Sequence, residues 1–326
     1  MSPDPIEGNG PATPDLIDEE RRPTIQERVE YLLLRETGAS ASLLPRRAAL
    51  VLARLIGVLG FDILRIRRGV AIANLGRAWP EATTAWLRQT ARAAYVNLGV
   101  VTVEMLRART LDVAGVIALV SLDGEAEQRL RNIVEARSGA VIVGGHYGTW
   151  ELLGARLAAL GYPSIAIMQD QRNPLMNREL NEMRGRLGLE VVERRMAPRR
   201  VIKTLQAGGL VLIVGDQDAG AGGVFVEFFG RQASTTTGPA WFAARSGAAF
   251  LGAWIHREGR GYRMGFDELE EMDPVTSLDP GADREEFVHG MTAAYMRWLE
   301  DVIRSDPGQY LWLHRRWKSR PAGDGP

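Results

Sequence analysis

Cysteine is absent from this chain of 326 residues. That excludes disulfides, thiol nucleophiles and cysteine-bound zinc together, and it fits a reducing compartment. Lysine is nearly absent too, with only Lys203 and Lys318, so almost all positive charge is arginine. The skew is a matter of composition; only clusters of arginine carry information. Net charge is zero, which removes any overall pull toward nucleic acid, and no nucleic-acid partner is expected. No uninterrupted apolar run reaches the ~20 residues of a membrane-spanning helix. A Gly-x-Ser-x-Gly elbow, a Walker loop, a His-Glu-x-x-His pair and a complete Gly-x-Gly-x-x-Gly loop are all missing. Serine hydrolase, P-loop NTPase and zincin chemistries therefore lose their support.

What is present is ordinary globular material, 45% hydrophobic and 25% charged, and long enough for a large core. Residues 1–22 are rich in proline, glycine and acids and read as a disordered tail, with neither a secretory signal nor a transit peptide. Residues 23–110 read as helical and membrane-associating. Within them Ala48 to Leu64 is mostly apolar, broken by Arg54 and Asp62, and flanked by Arg46, Arg47, Arg65, Arg67, Arg68 and Arg77. A basic, apolar helix suits an anionic membrane interface; a buried helix with arginines at its ends is the alternative. After Pro80 a further long helix is expected over Glu81–Leu106.

Residues 111–326 change texture and form the expected catalytic domain. Short apolar runs at Val116–Leu122, Ala140–Val143, Ser164–Met168, Leu210–Val214, Phe250–Ile255 and Tyr262–Phe266 alternate with helical patterns. Those patterns cover Glu125–Ala136, Trp150–Leu160, Leu175–Leu187, Pro198–Ala207, Pro239–Arg245 and Asp283–Arg304. The alternation predicts an α/β fold, a mostly parallel sheet flanked by helices on both faces.

The chemistry concentrates where those strands end. Ala140–Val143 runs into Gly144, Gly145 and His146, then Gly148, and Glu151 stands five positions after the histidine at a helix start. Glycines free the backbone for close approach by a ligand, the acid is available to orient the imidazole, and the helix terminus offers N–H groups to an anion. A structural histidine is the bland alternative. Leu210–Val214 ends likewise in Gly215-Asp216-Gln217-Asp218, at the same sheet edge if the strands are parallel. Those side chains can order a loop, hold an acceptor hydroxyl or, by Asp-x-Asp spacing, a hard metal, though no third acidic ligand is near and no metal is expected. Thr237, before Gly238-Pro239, is a candidate helix cap or anion site. The closing Gln309–Pro321 segment interleaves aromatics with His314, Arg315, Arg316 and Lys318, a pattern suited to a phosphate-bearing head group or an interface. His256 and His289 have no acidic partner at a telling spacing and read as structural.

These motifs together resemble a known family. GGHYGTWELLG, GDQDAG, FFG followed by TTTGPAWFA, and QYLWLHRRWKSRP stand in the order found in the bacterial lipid A late (lauroyl/myristoyl) acyltransferases. Phosphatidylinositol mannoside acyltransferases are relatives of that family. RRGVAIANLGRAWPE fits as well, so the likeness runs from about Arg67 to Pro321. The resemblance implies a glycerolipid-acyltransferase-like α/β fold at the cytoplasmic face of the inner membrane, peripheral or N-terminally anchored. It implies O-acyl transfer from acyl carrier protein or coenzyme A to a hydroxyl of a membrane lipid, with no cofactor. It puts the family's His-x4-acid dyad on His146 and Glu151 and its Asp-Gln motif on Asp216 and Gln217. Substrate-binding positions are then expected at Gly145, Gly148, Arg172, Asp216, Gln217, Thr237 and Arg316. One departure concerns the acceptor: Asn173-Pro174 is present, but Gln169 stands where lipid A members often carry arginine, and Arg172 is displaced next to the asparagine. Acylation of another glycolipid or aminolipid, a thioesterase-like hydrolase and a non-catalytic membrane-binding protein are the alternatives.

Overall fold

The computed structural model describes residues 22–168, 171–193, 197–269 and 284–321. The acidic tail lies outside them except for Arg22, and so does Gln169.

The chain opens with four helices, α1 (Ile25–Leu43), α2 (Arg46–Val58), α3 (Arg68–Ala78) and α4 (Thr84–Arg107). Thr24 and Glu27 form a capping box that starts α1. Pro45 separates α1 from α2, which runs on into one π-helical turn, Leu59–Ile63. The helix expected from Glu81 begins three residues later, because the Thr83 hydroxyl accepts the Trp86 N–H and sets the cap there.

How α2 meets α4 decides what α2 leaves outside. Its buried residues are all small: Ala49, Ala53 and Gly57. A Cβ on Gly57 would sit 2.4 Å from the Tyr95 carbonyl oxygen, and one on Gly99 of α4 would sit 2.2 Å from that of Ala53. The two backbones touch, and only glycine permits it. Apart from Phe61, which is buried, most of the large apolar side chains of α2 and its π turn therefore point away from the protein. Val51, Leu55, Leu59 and Ile63 are 55%, 58%, 46% and 68% exposed. Arg47, Arg54, Arg65 and Arg67 are exposed among them. No helix among the described residues is long and apolar enough to cross a membrane.

Beyond Thr110 the elements alternate: α5 (Val113–Leu119), β1 (Val120–Leu122), α6 (Gly124–Glu135), β2 (Ala140–Gly144), α7 (Trp150–Ala158), β3 (Ser164–Met168), α8 (Pro174–Arg186) and β4 (Glu190–Glu193). Then come α9 (Ala197–Gln206), β5 (Leu210–Val214), β6 (Val224–Phe228), β7 (Arg231–Thr235), α10 (Gly238–Ser246), β8 (Ala249–Glu258), β9 (Gly261–Glu268) and α11 (Arg284–Ser305). Seven strands form one sheet in the order β1-β9-β8-β2-β5-β3-β4, parallel throughout except for the β8–β9 pair. The mostly parallel α/β architecture is as expected. All five residues of β2 are buried, as a strand covered on both faces should be.

One local expectation needs correction, and two elements were not expected. Val116–Leu122 is strand only from Val120, because Asp112 caps a helix through the Gly115 N–H at 2.7 Å and α5 runs to Leu119. The antiparallel β6–β7 hairpin was not foreseen; Phe229 and Gly230 at its turn both have positive φ, +52° and +69°, as a two-residue hairpin turn requires. Edge strand β4 was also missed, since only Val191 and Val192 mark it between two glutamates.

Candidate active site

Strand register brings the site together. In the β2–β5 pair Gly144 lies opposite Val214, and each strand then runs two residues further, to His146 and to Asp216. Both side chains therefore emerge at the carboxyl edge of adjacent parallel strands, where α/β proteins bind ligands. His146 Nδ1 lies 2.6 Å from Asp216 Oδ1, and the His146 backbone N–H donates to Oδ2 at 2.9 Å. The carboxylate thus holds both the ring and the backbone of the same residue. It is only 2% exposed, whereas the imidazole is 20% exposed and reaches the surface of the site. The Tyr310 hydroxyl also donates to Asp216. Trp150 meets the imidazole edge-on, with ring centroids 5.0 Å apart.

Charge follows geometry. Burial alone would push the His146 imidazole down, but the adjacent Asp216 charge and hydrogen bond, aided by the Glu151 charge, outweigh it and raise the ring above its ordinary 6.5. Burial would push Asp216 up; the imidazolium charge and the hydrogen bonds reverse this and hold it at about 2. Nδ1–H therefore donates to Asp216, which leaves Nε2 as the basic nitrogen. Gln217 Nε2 stands 3.4 Å from it.

Asp216, expected to bind substrate, is the residue that orients the ring. Glu151, expected to do so, instead makes a two-pronged ion pair with Arg184, at 2.7 and 3.0 Å. The reason is direction: Glu151 lies in the first turn of α7 and faces α8, which supplies the arginine. Glu151 and Arg184 side chains are 10% and 8% exposed. Removing one partner strands a charge, so Glu151→Gln is expected to cost about 3 kcal/mol of stability. The paired replacement Glu151→Leu with Arg184→Met should recover most of it, read as thermal unfolding midpoints.

The glycines expected to admit a ligand also stand at close-packed positions. Gly148 has φ +59°, and a Cβ there would lie 1.8 Å from the Ile255 carbonyl oxygen. At Gly145 a Cβ would meet the Leu299 side chain at 2.6 Å. Gly148→Ala should therefore cost at least about 3 kcal/mol, a backbone clash in a left-handed conformation. Gly145→Ala, where a flexible leucine tip must move, should cost only about 1 kcal/mol. Denaturant midpoints distinguish the two.

The remaining expected positions divide. Arg172 is exposed in the loop before α8, and no hydrogen bond among the described residues joins it to the His146 cluster. Its neighbour Asn173 caps α8 and also donates to the Glu27 carbonyl of α1 at 2.9 Å. Thr237 occupies the cap position of α10 without a side-chain cap bond. Pro239 supplies no N–H for it to accept, and the Gly238 N–H goes to Thr236 Oγ1 at 3.3 Å. Arg316 is a buried brace and not a head-group ligand. It is 2% exposed and donates to Ser234 O and Thr235 Oγ1, both at 2.5 Å. Most of the closing aromatic segment is likewise interior: Tyr310 and Trp312 are buried, and Asn74 of α3 donates to the carbonyls of Trp312 and His314. The Asp218 carboxylate is engaged by Ser319, through its N–H at 3.2 Å and its hydroxyl at 3.0 Å. No group of three metal-ligating side chains occurs among the described residues. Arg184 and Tyr310 were missed as site residues, because each lies far along the chain from His146 and no local spacing points to it.

The first turn of α7 adds one more feature. Gly148 N–H is already given to the Gln309 carbonyl at 3.0 Å. Thr149 makes no side-chain cap, so the helix terminus beside the imidazole keeps its positive end for a ligand.

The chain is similar to known proteins along most of its length. The family model "Bacterial lipid A biosynthesis acyltransferase" matches residues 29–319. The chain is 34% identical over 202 residues to a lipid A biosynthesis lauroyltransferase of Escherichia coli (strain K12), covering 60% of this chain and 61% of that protein. It is 29% identical over 284 residues to the palmitoleoyltransferase of the same organism, covering 82% and 84%. It is also similar to a phosphatidylinositol mannoside acyltransferase of Mycolicibacterium smegmatis, 27% identical over 147 residues, 43% of this chain and 48% of that protein. With the family model matching most of its length, the chain belongs to the bacterial lipid A biosynthesis acyltransferase family, a family of O-acyltransferases.

Proposed function

We propose that this protein transfers a fatty acyl group from a thioester, on acyl carrier protein or coenzyme A, to a hydroxyl of a membrane glycolipid of the lipid A class. The observation that carries the reading is an imidazole oriented at Nδ1 by a buried carboxylate, with its other nitrogen basic and at the surface of the site. His146 Nε2 takes the proton from the acceptor hydroxyl. The oxygen attacks the thioester carbonyl, the C–S bond breaks, and the imidazolium returns the proton to the departing thiolate. Asp216 stabilises the imidazolium while it lasts. Glu151, through its charge alone, adds to that stabilisation. N–H groups at the start of α7 stabilise the developing oxyanion, an effect worth roughly 3 kcal/mol per donor. Gln217, beside Nε2, is positioned to hold the acceptor oxygen or the carbonyl. No protein nucleophile is required, which agrees with a chain that has no cysteine.

The reaction needs a neutral His146, and Asp216 raises its pKa. The acid limb of kcat/KM should therefore lie above pH 6.5, with activity falling as pH drops through it. Asp216→Asn should move that limb to lower pH. Stability runs the opposite way. The raised His146 contributes fully below 6.5 and loses its contribution as pH rises through the folded value. Asp216 contributes above its ordinary 3.8 and loses its contribution as pH falls toward about 2. An unshifted limb in Asp216→Asn would remove the pair from the mechanism.

Labelled acyl carrier protein and labelled acyl-CoA, each offered with mixed lipid vesicles containing a lipid A precursor, test the reading. A labelled acyl-lipid is the expected product, and the productive thioester identifies the donor. Free fatty acid with no acyl-lipid would replace transfer by hydrolysis. The exposed apolar and basic side of α2 supports work at a membrane surface, peripheral to the bilayer.

A further inference from the structure

Tyr147 follows His146 directly, but its side chain leaves the catalytic cluster. Its hydroxyl lies 3.0 Å from His256 Nδ1 and 3.3 Å from Ser305 Oγ. There it lines a cavity of about 580 Å³ between the β8–β9 pair and the C-terminal part of α11. That is the size of a small-molecule site. Nothing in the acyl-transfer scheme uses it.

Two indoles shape the cavity, and the sheet makes room for both. A Cβ on Gly252 of β8 would lie 2.5 Å from the Trp298 ring, and one on Gly265 of β9 would lie 2.5 Å from the Trp254 ring. By strand alternation Gly252, Trp254, His256 and Glu258 share one face of β8. Two positions on this sheet face thus lack a side chain where a ring lies against the backbone. The Trp298 indole N–H donates to Asp267 at 2.9 Å, which holds it in place.

The Tyr147 hydroxyl and the Gln309 amide both face His256 Nδ1, at 3.0 and 3.1 Å. Burial pushes the Tyr147 phenol up to about 12, so it keeps its proton. An amide N–H only donates, so Nδ1 accepts from Gln309, while the Tyr147 hydroxyl can donate or accept. Glu258 and Asp301 line the cavity and form no ion pair among the described residues. Arg263 is already paired with Asp123 at 2.5 Å.

This combination selects a ligand class. An acyl chain would strip water from the Glu258 and Asp301 carboxylates without compensation. An anionic head group would meet those carboxylates with one neutralised arginine to offset them. A sugar ring fits: its C–H faces lie on indole, its hydroxyls donate to carboxylates, and an amino substituent gains from both. We propose that this cavity binds a neutral or amino-bearing sugar of the acceptor lipid, beside the residue that follows the catalytic histidine. The proposal rests on the acyl-transfer reading for its acceptor, but its sugar binding can be measured without turnover.

The test uses the full chain and two variants, Trp254→Leu and Asp301→Trp. Asp301 is exposed on α11, so the second variant fills the cavity without disturbing the core even if the first folds poorly. Calorimetric titration with the soluble glucosamine disaccharide should show binding to the wild type, weakened tenfold or more in each folded variant. With lipid A precursor as acceptor, acceptor KM should rise tenfold or more while kcat stays within about twofold. A wild type that does not bind the disaccharide, or variants whose acceptor KM stays within twofold of wild type, would overturn the sugar site. If the wild type releases fatty acid and acylates no lipid, acyl transfer itself fails, and the titration alone then decides the cavity.

Discussion

Asp216→Asn is expected to lower turnover by roughly 10²- to 10⁴-fold, close to the loss from His146→Ala. The asparagine keeps the shape of the side chain but not its charge. Its amide can present an N–H where the imidazole needs an acceptor, so the ring turns to the wrong tautomer and the imidazolium loses its counter-charge. The two residues act as a unit, so the double variant should be little worse than His146→Ala alone. Acceptor KM should move far less than kcat, because neither group is needed to bind the lipid. Glu151→Gln gives the decisive contrast. Its carboxylate is spent on Arg184, so its principal effect should be on stability, with a smaller fall in turnover from the lost charge near His146. Steady-state rates of the folded variants measure the difference. If Asp216→Asn keeps turnover within threefold of wild type while Glu151→Gln loses a hundredfold, the orienting carboxylate is Glu151 after all.

The second large effect belongs to the surface. Leu55→Asp, Leu59→Asp and Ile63→Asp together should reduce partitioning onto anionic vesicles by about a thousandfold. All three side chains are about half exposed or more. Each contributes on the order of 1.5 kcal/mol when moved from water into an apolar phase, so the three supply about 4 to 5 kcal/mol. Arg47, Arg54, Arg65 and Arg67 add on the order of 1 kcal/mol each on an anionic surface, and that share should fall as salt rises. The fold should tolerate the triple change, since the buried side of α2 is made of Ala49, Ala53 and Gly57. Sedimentation with vesicles containing phosphatidylglycerol reads the outcome. Partitioning within threefold of wild type would mean that this side of α2 is not the membrane contact.

The basic, apolar character of α2 was visible in its residues, but which side it would show was not. Periodicity marks apolar positions without saying which of them a neighbour will cover. Here the close backbone approach at Gly57 and Gly99 turns the small residues inward, and that is a property of two helices. The tail is a similar case read in the opposite direction. Its alternation of aromatics and bases suggested a surface, yet Tyr310, Trp312 and Arg316 are buried, because Asn74 and the β6–β7 hairpin supply partners from distant parts of the chain.

Local pattern was enough for the alternation of strands and helices, for His146 at the end of a buried strand, and for the helix that starts beside it. Each depends on residues within a few positions of one another. Tertiary structure alone decided which acid the imidazole meets. Glu151 is five residues away but points along α7 toward Arg184, whereas Asp216, seventy residues away, is brought within 2.6 Å by the pairing of β2 with β5. A helix turns a near neighbour in sequence to another side, and a parallel sheet places distant strand ends next to each other; neither effect is written in local spacing.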